Sequence, residues 1–370
     1  MGFKVTPWEV EGEVDYNKLI EQFGTQPLTQ ELLAEFEKKA GELHLFLKRR
    51  IFFSHRDFDW ILRIHHEEPF ALYTGRGPTG PVHLGHLMPW IFCKYLQDKF
   101  NSNFYFQVTD DEKFLFREEL SVEDTKEIAY DNILDIIACG FDSKKTFIFI
   151  DTEYAKTLYN IAITVAKRVT FSTTRAVFGF ENSTNIGMIF FPAIQAVPCF
   201  LPSILEKRKA PVLIPAAIDQ DNYWRVTRDV AERLGYYKPA AIHNIFLPSL
   251  TGPSGKMSAS KEETAIFCKD TREQVFTKVM NAFTGGRATI AEQRKFGGNP
   301  DICTIYQYYY FLFMPDDDEV EKRHLDCKSG NIMCGPCKAE LAERIWTFLE
   351  KHQERREKAK NVLEEFMLRD

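Results

Sequence analysis

No run of 18 or more apolar residues occurs in the 370-residue chain, so no segment reads as a membrane span. There is no internal repeat and no low-complexity tract either, which sets aside solenoids and arrays. The first 20 residues carry Glu9, Glu11, Glu13 and Asp15 without an apolar core. A secretory signal or an acid-poor transit peptide has neither property, and the expected location is the cytosol. Basic charge is not in excess: 47 Lys and Arg against 53 Asp and Glu leave a formal charge of -6. That excludes wholesale coating of a polyanion while permitting a local basic face. Cysteine is sparse, with 8 scattered residues, so reduced thiols are expected rather than a disulfide framework. Hydrophobic residues at 44% exclude a disordered chain, and the length allows a large core and two domains.

What the chain does have begins at Thr74 to His86, T-G-R-G-P-T-G-P-V-H-L-G-H. The apolar run Pro69 to Tyr73 has strand length, and Leu84, Leu87, Ile91 and Tyr95 repeat at helical spacing. The glycine-rich segment therefore joins a strand to a helix, where unpaired amides and the helix dipole favour an anion. His83 and His86, three residues apart, project from one side of the first turn, with Gly85 leaving space between them. Gly75, Gly77 and Gly80 also match G-x-G-x-x-G, and Asp98 stands near the acidic position of a dinucleotide site. A second segment argues against that alternative. Ser254 to Ser260, S-G-K-M-S-A-S, reads as a mobile loop whose lysine, flanked by hydroxyls, suits a departing pyrophosphate; a dehydrogenase has no use for it.

Strands and helices alternate from Phe70 onward: a strand at Asn103 to Thr109, a helix opened by Ser121 with Asp124 and ended by Gly140, a strand at Thr146 to Ile150, and further apolar runs at 212–214 and 241–246. This predicts an α/β fold with a doubly wound parallel sheet, whose ligands bind at strand carboxyl ends near Thr74, Asp110 and Asp219. After Phe267 the pattern turns helical, with helices expected over 271–283, 301–313 and 338–367. The strand at 103–109 sends Tyr105, Gln107 and Thr109 to one face and Phe104, Phe106 and Val108 to the other. Gln107 is thus a polar residue on a core strand and needs a partner. Its amide oxygen, with the Tyr73 hydroxyl, could accept from a ligand N–H. Asp219, Gln220 and Asp221 cluster after a strand and read as ligand-binding. Lys113 is a further phosphate candidate, or the ion-pair partner of a neighbouring acid.

H-L-G-H (83 to 86) with K-M-S-A-S (256 to 260) resembles the two signatures of class I aminoacyl-tRNA synthetases. Y-T-G-R-G-P (73 to 78), Q-V-T-D-D-E-K (107 to 113), F-P-A-I-Q-A (191 to 196), A-I-D-Q-D (217 to 221), I-F-F-S-H-R-D (51 to 57) and F-G-G-N (296 to 299) narrow the resemblance to eukaryotic and archaeal tryptophanyl-tRNA synthetases over nearly the whole chain. The resemblance implies a Rossmann-type catalytic domain over 66–267, with a helical insertion at about 114–200 that shapes the amino-acid pocket and a homodimer interface. It also implies an N-terminal segment (1–65) packed on that domain, and a helical anticodon-binding domain over 268–370. The expected substrates are L-tryptophan, ATP with Mg2+, and tRNA(Trp), with no tightly bound cofactor.

By the same resemblance His83, His86 and Lys256 are catalytic. Gly75, Gly77, Thr79, Gly85, Lys113, Gln220, Met257, Ser258 and Ser260 join them in holding ATP. Tyr73, Gly75, Gln107, Glu112, Gln195 and Gln220 bind tryptophan, with Glu112 supplying charge to the ammonium. The alternatives are a tyrosyl enzyme of the same fold, whose pocket would offer an acid to the phenol, and a catalytically silent synthetase-like binding protein. Two departures from the family pattern stand out: Trp224 in place of Phe, and a first loop one residue short before His83. His324, Cys327, Cys334 and Cys337 have spacing compatible with zinc or a redox pair. The family uses no metal there, and Gly335-Pro336 reads as a turn, so no metal is expected. Lys351, Arg355, Arg356, Lys358 and Lys360 form either a solvated face or a tRNA contact.

Overall fold

Seven strands build the central sheet: β1 (Gln26–Pro27), β2 (Phe52–Arg56), β3 (Ala71–Arg76), β4 (Phe104–Val108), β5 (Thr146–Ile150), β6 (Val212–Ala217) and β7 (Ala240–Asn244). Their spatial order is β1-β2-β7-β6-β3-β4-β5. The computed structural model describes residues 4–5, 10–11, 14–257 and 262–370, with the backbone alone at Lys4, Val10, Glu11 and 253–256. The five strands from β7 to β5 are parallel, as the alternation of elements predicts. Two short antiparallel strands from the preface, β1 and β2, extend the sheet beyond β7. The chain winds outward from β3 to β4 and β5, then returns to β6 and β7 on the other side. This reversal between β3 and β6 opens a crevice at the carboxyl ends of the strands.

The alternation read at 103–109 is realised in β4. Phe104, Phe106 and Val108 of β4 join Leu72 and Ile148 in one apolar cluster, while Tyr105 joins Ala71, Tyr73 and Phe149 in another on the opposite face. Helix α1 (Leu84–Phe100) follows β3, α2 (Asp110–Phe116) follows β4, and α3 (Val122–Ala138) starts at the reciprocal Ser121–Asp124 cap. After β5 come α4 (Ala155–Ala166), α5 (Phe171–Phe178) and α6 (Ile186–Ala196), then α7 (Asp221–Ala231) after β6. Beyond the sheet lie α8 (Arg272–Asn281), α9 (Ile290–Phe296), α10 (Asp317–Lys328) and α11 (Cys334–Ala359). A single apolar cluster runs from Leu28 through Leu72, Phe104, Val275 and Leu341 to Phe366. The preface, the sheet and the last helices therefore bury surface against one another. No helix among the described residues is long and apolar enough to cross a membrane.

Two helical expectations need correction. The segment expected as one helix over 301–313 divides into a 3-10 turn (Pro300–Ile302), an α-helix (Thr304–Tyr308) and a wide π turn (Tyr309–Phe313). Successive hydroxyls there donate to three separate carbonyls: Tyr308 to Pro248 at 3.2 Å, Tyr309 to Cys337 at 2.8 Å and Tyr310 to Arg49 at 3.1 Å. The last helix starts at Cys334 rather than Lys338, because Pro336 falls in its first turn, where a missing N–H costs nothing. It ends at Ala359. The chain then reaches the open edge of β5, where Ile148 donates to the Phe366 carbonyl and Leu368 to that of Ile148, both at 2.7 Å. An exposed strand edge is thereby covered.

Candidate active site

Strand β3 delivers the chain to the crevice, and the turn after it is held from beneath. The Arg76 guanidinium is buried, donates to the carbonyl of Gly80 at 2.9 Å and bonds Asn132. Asn132 in turn donates to Gly80 at 3.1 Å. Burial pulls Arg76 down to about 10, which leaves it charged at neutral pH. The turn ends at His83, the N-cap of α1. There the His83 backbone N–H donates to His86 Nδ1 at 3.2 Å, and the two rings stack with centroids 3.5 Å apart and planes 24° apart. Because Nδ1 of His86 accepts, its neutral ring carries the proton on Nε2. Glycine leaves room for these side chains at two points here. A Cβ on Gly77 would fall 1.8 Å from Lys113 Cε, and one on Gly85 would come within 3.1 Å of the His83 ring.

These elements surround a cavity of about 330 Å³. Of the residues expected at the nucleotide, Gly75, Gly77, Thr79, His83, Gly85, His86, Lys113, Gln220 and Met257 line it; of those expected at the amino acid, Gly75, Glu112, Gln195 and Gln220 do so. Tyr73 and Gln107 do not. Both are fully buried, bonded to one another directly behind Gln195. Gln195 Nε2 donates to the Tyr73 hydroxyl at 3.0 Å, that hydroxyl donates to Gln107 Oε1 at 2.6 Å, and Gln107 Nε2 donates to both oxygens of Asp151 at 3.0 and 2.9 Å. This chain of bonds sets the amide of Gln107 with its oxygen toward Tyr73. Burial, reinforced by Asp111 and Asp110, holds the Asp151 carboxyl far above the ordinary range, and burial lifts Asp111 to about 7. The two carboxyls are hydrogen-bonded to each other, and Asp151 keeps its proton beneath Gln107. Polar atoms without partners also gather around the cavity: Gln195 Oε1, Asn244 Oδ1 and Trp224 Nε1.

A sequence model described as tRNA synthetases class I (W and Y) matches residues 65–350. The chain belongs to that family. Over 367 residues it is 56% identical to a tryptophan–tRNA ligase of Pyrococcus abyssi, covering 98% of this chain and 94% of the relative. It is 53% identical to the corresponding ligase of Pyrobaculum aerophilum, covering 99% and 97%. Among solved structures, tryptophanyl-tRNA synthetase from Giardia lamblia is similar with a TM-score of 0.89 and 38% identity, covering 96% of each chain.

In this class I synthetase Lys113 takes the ion-pair alternative while lining the cavity, and Asp221 departs from its sequence reading. Lys113 is ion-paired to Glu112 at 2.7 Å, and the Thr109 hydroxyl donates to the same carboxylate at 3.1 Å. Asp219 and Gln220 line the cavity, but Asp221 does not: Arg56 on β2 grips it through two bonds of 2.7 Å, with His243 at 3.2 Å. Burial would raise this carboxyl, yet Arg56 and His243 bring it to about 2. Asp221 is therefore a buried counter-ion tying β2 and β7 to the start of α7. Trp224 lines the cavity and meets the Tyr73 ring edge-on, with centroids 5.5 Å apart. In the lysine loop, Ser258 and Ser260 lie outside the described residues, and at Lys256 the backbone alone is described, as the end of a strand spanning Gly252–Lys256.

Of the set considered for zinc, His324 is engaged by Asp301 at 2.8 Å. On the last helix Arg355 donates to the Ala138 carbonyl at 2.6 Å and Arg356 pairs with Asp131, so both turn toward α3. Arg76, Asn132, Asp151 and Asn244 went unremarked in the sequence. Asp151 and Asn244 stand at or just past strand carboxyl ends, a signal that was available; Arg76 and Asn132 offered none.

Proposed function

We propose that the chain is a tryptophan–tRNA ligase, which forms tryptophanyl-adenylate from L-tryptophan and ATP and then esterifies the terminal ribose of tRNA(Trp). The observation that carries this reading is one cavity lined both by the stacked His83–His86 pair at the start of α1 and by Gln195, behind which lies the Tyr73–Gln107 part of its relay. The tryptophan carboxylate attacks the α-phosphorus in line, a C–O–P bond forms, and pyrophosphate leaves with the bonding pair. His83 and His86 donate from their rings to phosphate oxygens that gather charge, and Gly75, Gly77, Thr79, Gly85 and Met257 shape the nucleotide floor. Lys256, Ser258 and Ser260 stabilise the departing pyrophosphate. Lys113, while paired to Glu112, lends its charge to the same end of the cavity.

Glu112, Gln195 and Gln220 hold the substrate ammonium. The indole N–H finds its acceptors in Gln107 Oε1 and the Tyr73 hydroxyl once Gln195 has moved aside from them. Asp151, the carboxyl bonded to Gln107, has both oxygens covered by its amide, so it offers no bare acid to a phenol. Magnesium would be held by the ATP phosphates and water, neutralising charge on the phosphate oxygens. Glu112 and Asp219 are too few carboxylates for an all-protein cage. The helices beyond residue 267 read the anticodon. The enzyme works as a homodimer in the cytosol; exposed Tyr159, Ile163, Phe171 and Ile186 on α4 to α6 support a partner surface. ATP–pyrophosphate exchange with tryptophan, tyrosine and phenylalanine in turn is the test. Exchange driven by tyrosine, or by none of the three, would overturn the reading.

A further inference from the structure

We propose that His352 and Gln353, adjacent on α11, are positioning residues for adenylate formation, each anchoring one side of the turn that carries His83 and His86. The inference rests on the proposed reading of that turn as the phosphate site. Neither side chain lines the cavity. The first anchor runs through α3, where Asn132 and Asp135, three residues apart, share a face. Asn132 accepts from Arg76 Nε, and both residues donate to the Gly80 carbonyl, Arg76 reaching on to that of Pro81 at 3.3 Å. Burial works against the Arg76 charge, and the Asp135 carboxylate supports it. Asp135 is itself buried and meets α11: His352 Nε2 stands 3.0 Å from its Oδ1, and Arg356 Nε stands 3.3 Å from the same atom. Opposite a carboxylate, which only accepts, His352 carries its proton on Nε2 and donates.

The second anchor is made of backbone. Cys268 N–H donates to the Val82 carbonyl at 2.8 Å and Leu84 N–H to the Ile266 carbonyl at 3.1 Å, so His83 and Phe267 pair as a short antiparallel bridge. The 266–270 segment is gripped in turn by Gln353, whose Nε2 donates to the carbonyls of Cys268 at 2.9 Å and Asp270 at 3.0 Å. Gln353 thus reaches the backbone on both sides of His83 through one strand-like segment.

The two anchors begin at neighbouring residues of α11 and end at Gly80 and at Val82 to Leu84, with Pro81 between them. The chain then leads straight into the stacked rings. A buried cluster of histidine, carboxylate and arginine is a poor source of stability, because desolvation offsets the attraction. Its directional bonds instead fix where groups stand, and groups that act on a transition state need such support from residues that never touch substrate. A displacement of about 1 Å caused by a distant change can cost about a hundredfold in rate. Arg355 supplies the contrast. It donates to the Ala138 carbonyl at the end of α3 at 2.6 Å, tying the same two helices together without reaching the turn.

The test is tryptophan-dependent ATP–pyrophosphate exchange by variants of the full chain, with tryptophan affinity measured separately. His352→Leu and Gln353→Met should each lower the rate at saturating substrates by about tenfold to a hundredfold. Tryptophan affinity should be unchanged, since Gln195, Tyr73 and Gln107 depend on neither anchor. His352→Gln keeps a donor near the Nε2 position and Gln353→Lys keeps one for the two carbonyls, so both should restore most of the rate, while Arg355→Met should leave it unaltered. Parental rates in folded His352→Leu and Gln353→Met, a loss shared equally by tryptophan affinity, an equal loss in Arg355→Met, or no rescue by the donor-keeping variants would each overturn the proposal. Should His352→Leu fail to fold, the variants at half-buried Gln353 carry the test. Should the parent itself lack exchange, the proposed function falls, and amide hydrogen exchange over 80–86 decides the anchors: faster exchange in His352→Leu and Gln353→Met but not in Arg355→Met supports them, and unaltered exchange overturns them.

Discussion

Asp151 should govern the choice of amino acid without touching it. Its two oxygens accept from Gln107 Nε2, and with the Tyr73 hydroxyl on the other side of the amide this contact tells Gln107 which way to face. With Asp151→Ala the amide donor is left buried without a partner, a cost of about 1–3 kcal/mol, which the amide can escape by turning its NH2 toward the pocket. The indole N–H would then meet a donor. The same 1–3 kcal/mol corresponds to a loss of about 5- to 150-fold in kcat/KM for tryptophan. Phenylalanine has no N–H to lose, so its activation should change little, and a discrimination of order 10⁴ should narrow by the same factor. Asp151→Asn separates the cause further. Because Asp151 is held protonated by burial, Asn reproduces its pattern, one oxygen accepting from Gln107 and one N–H donating to Asp111. ATP–pyrophosphate exchange with both amino acids for the two variants is the assay. Equal losses for tryptophan and phenylalanine in Asp151→Ala, or Asn as damaging as Ala, would refute the reasoning.

The Lys256→Ala variant should slow adenylate formation by roughly a hundredfold or more while weakening ATP binding far less; pre-steady-state kinetics showing a weaker ATP affinity at an unaltered rate would count against it. The Asp111 carboxyl, raised to about 7 in the folded chain against about 3.9 unfolded, keeps a proton that the unfolded chain gives up, so its contribution to stability is present below about pH 4 and is lost as pH rises toward about 7. Asp111→Asn should therefore gain in melting temperature relative to the parent across that window, and parallel curves would refute the assignment. Arg56→Ala strands the buried Asp221 carboxylate and should cost about 3–5 kcal/mol in urea unfolding, whereas Arg56→Met with Asp221→Leu should recover most of it; an Arg56→Ala midpoint equal to that of the parent would show the pair to be idle.

The parts of the fold legible in the sequence were those whose cause is local. Strand β3, the glycine turn and α1 were readable because apolar run, glycines and helical repeat are contiguous, and the Ser121–Asp124 cap because both partners lie within one turn. Strand β4 was readable face by face because its side chains alternate and both faces are packed. The antiparallel strand β2 escaped notice because its pairing with β7 joins residues nearly two hundred positions apart. The chain end looked helical to 367, yet an open strand edge offers hydrogen bonds that a free helix end does not, and residues 366–368 take them.

In the candidate site the same division separates catalysis from selectivity. Donors for a phosphate need a helix N-terminus and adjacent rings, and a single stretch from Gly75 to His86 supplies them. The acceptor for an indole N–H must be an oriented amide in an apolar wall, and orientation comes from neighbours on other strands: Tyr73 on β3, Asp151 just past β5, Gln195 on α6. Gln107 could be singled out because a lone amide in F-Y-F-Q-V is conspicuous. The direction it faces could not, because parallel pairing sets Gln107 beside Gly75 on one side and Phe149 on the other, and only the register of the last pair brings the carboxyl two residues beyond Phe149 up to the amide. A shift of one residue between β4 and β5 would carry Asp151 to the opposite side of its strand and leave Gln107 free to turn. On the proposed reading of the pocket, selectivity for tryptophan would rest on strand register, a property that sequence motifs do not carry.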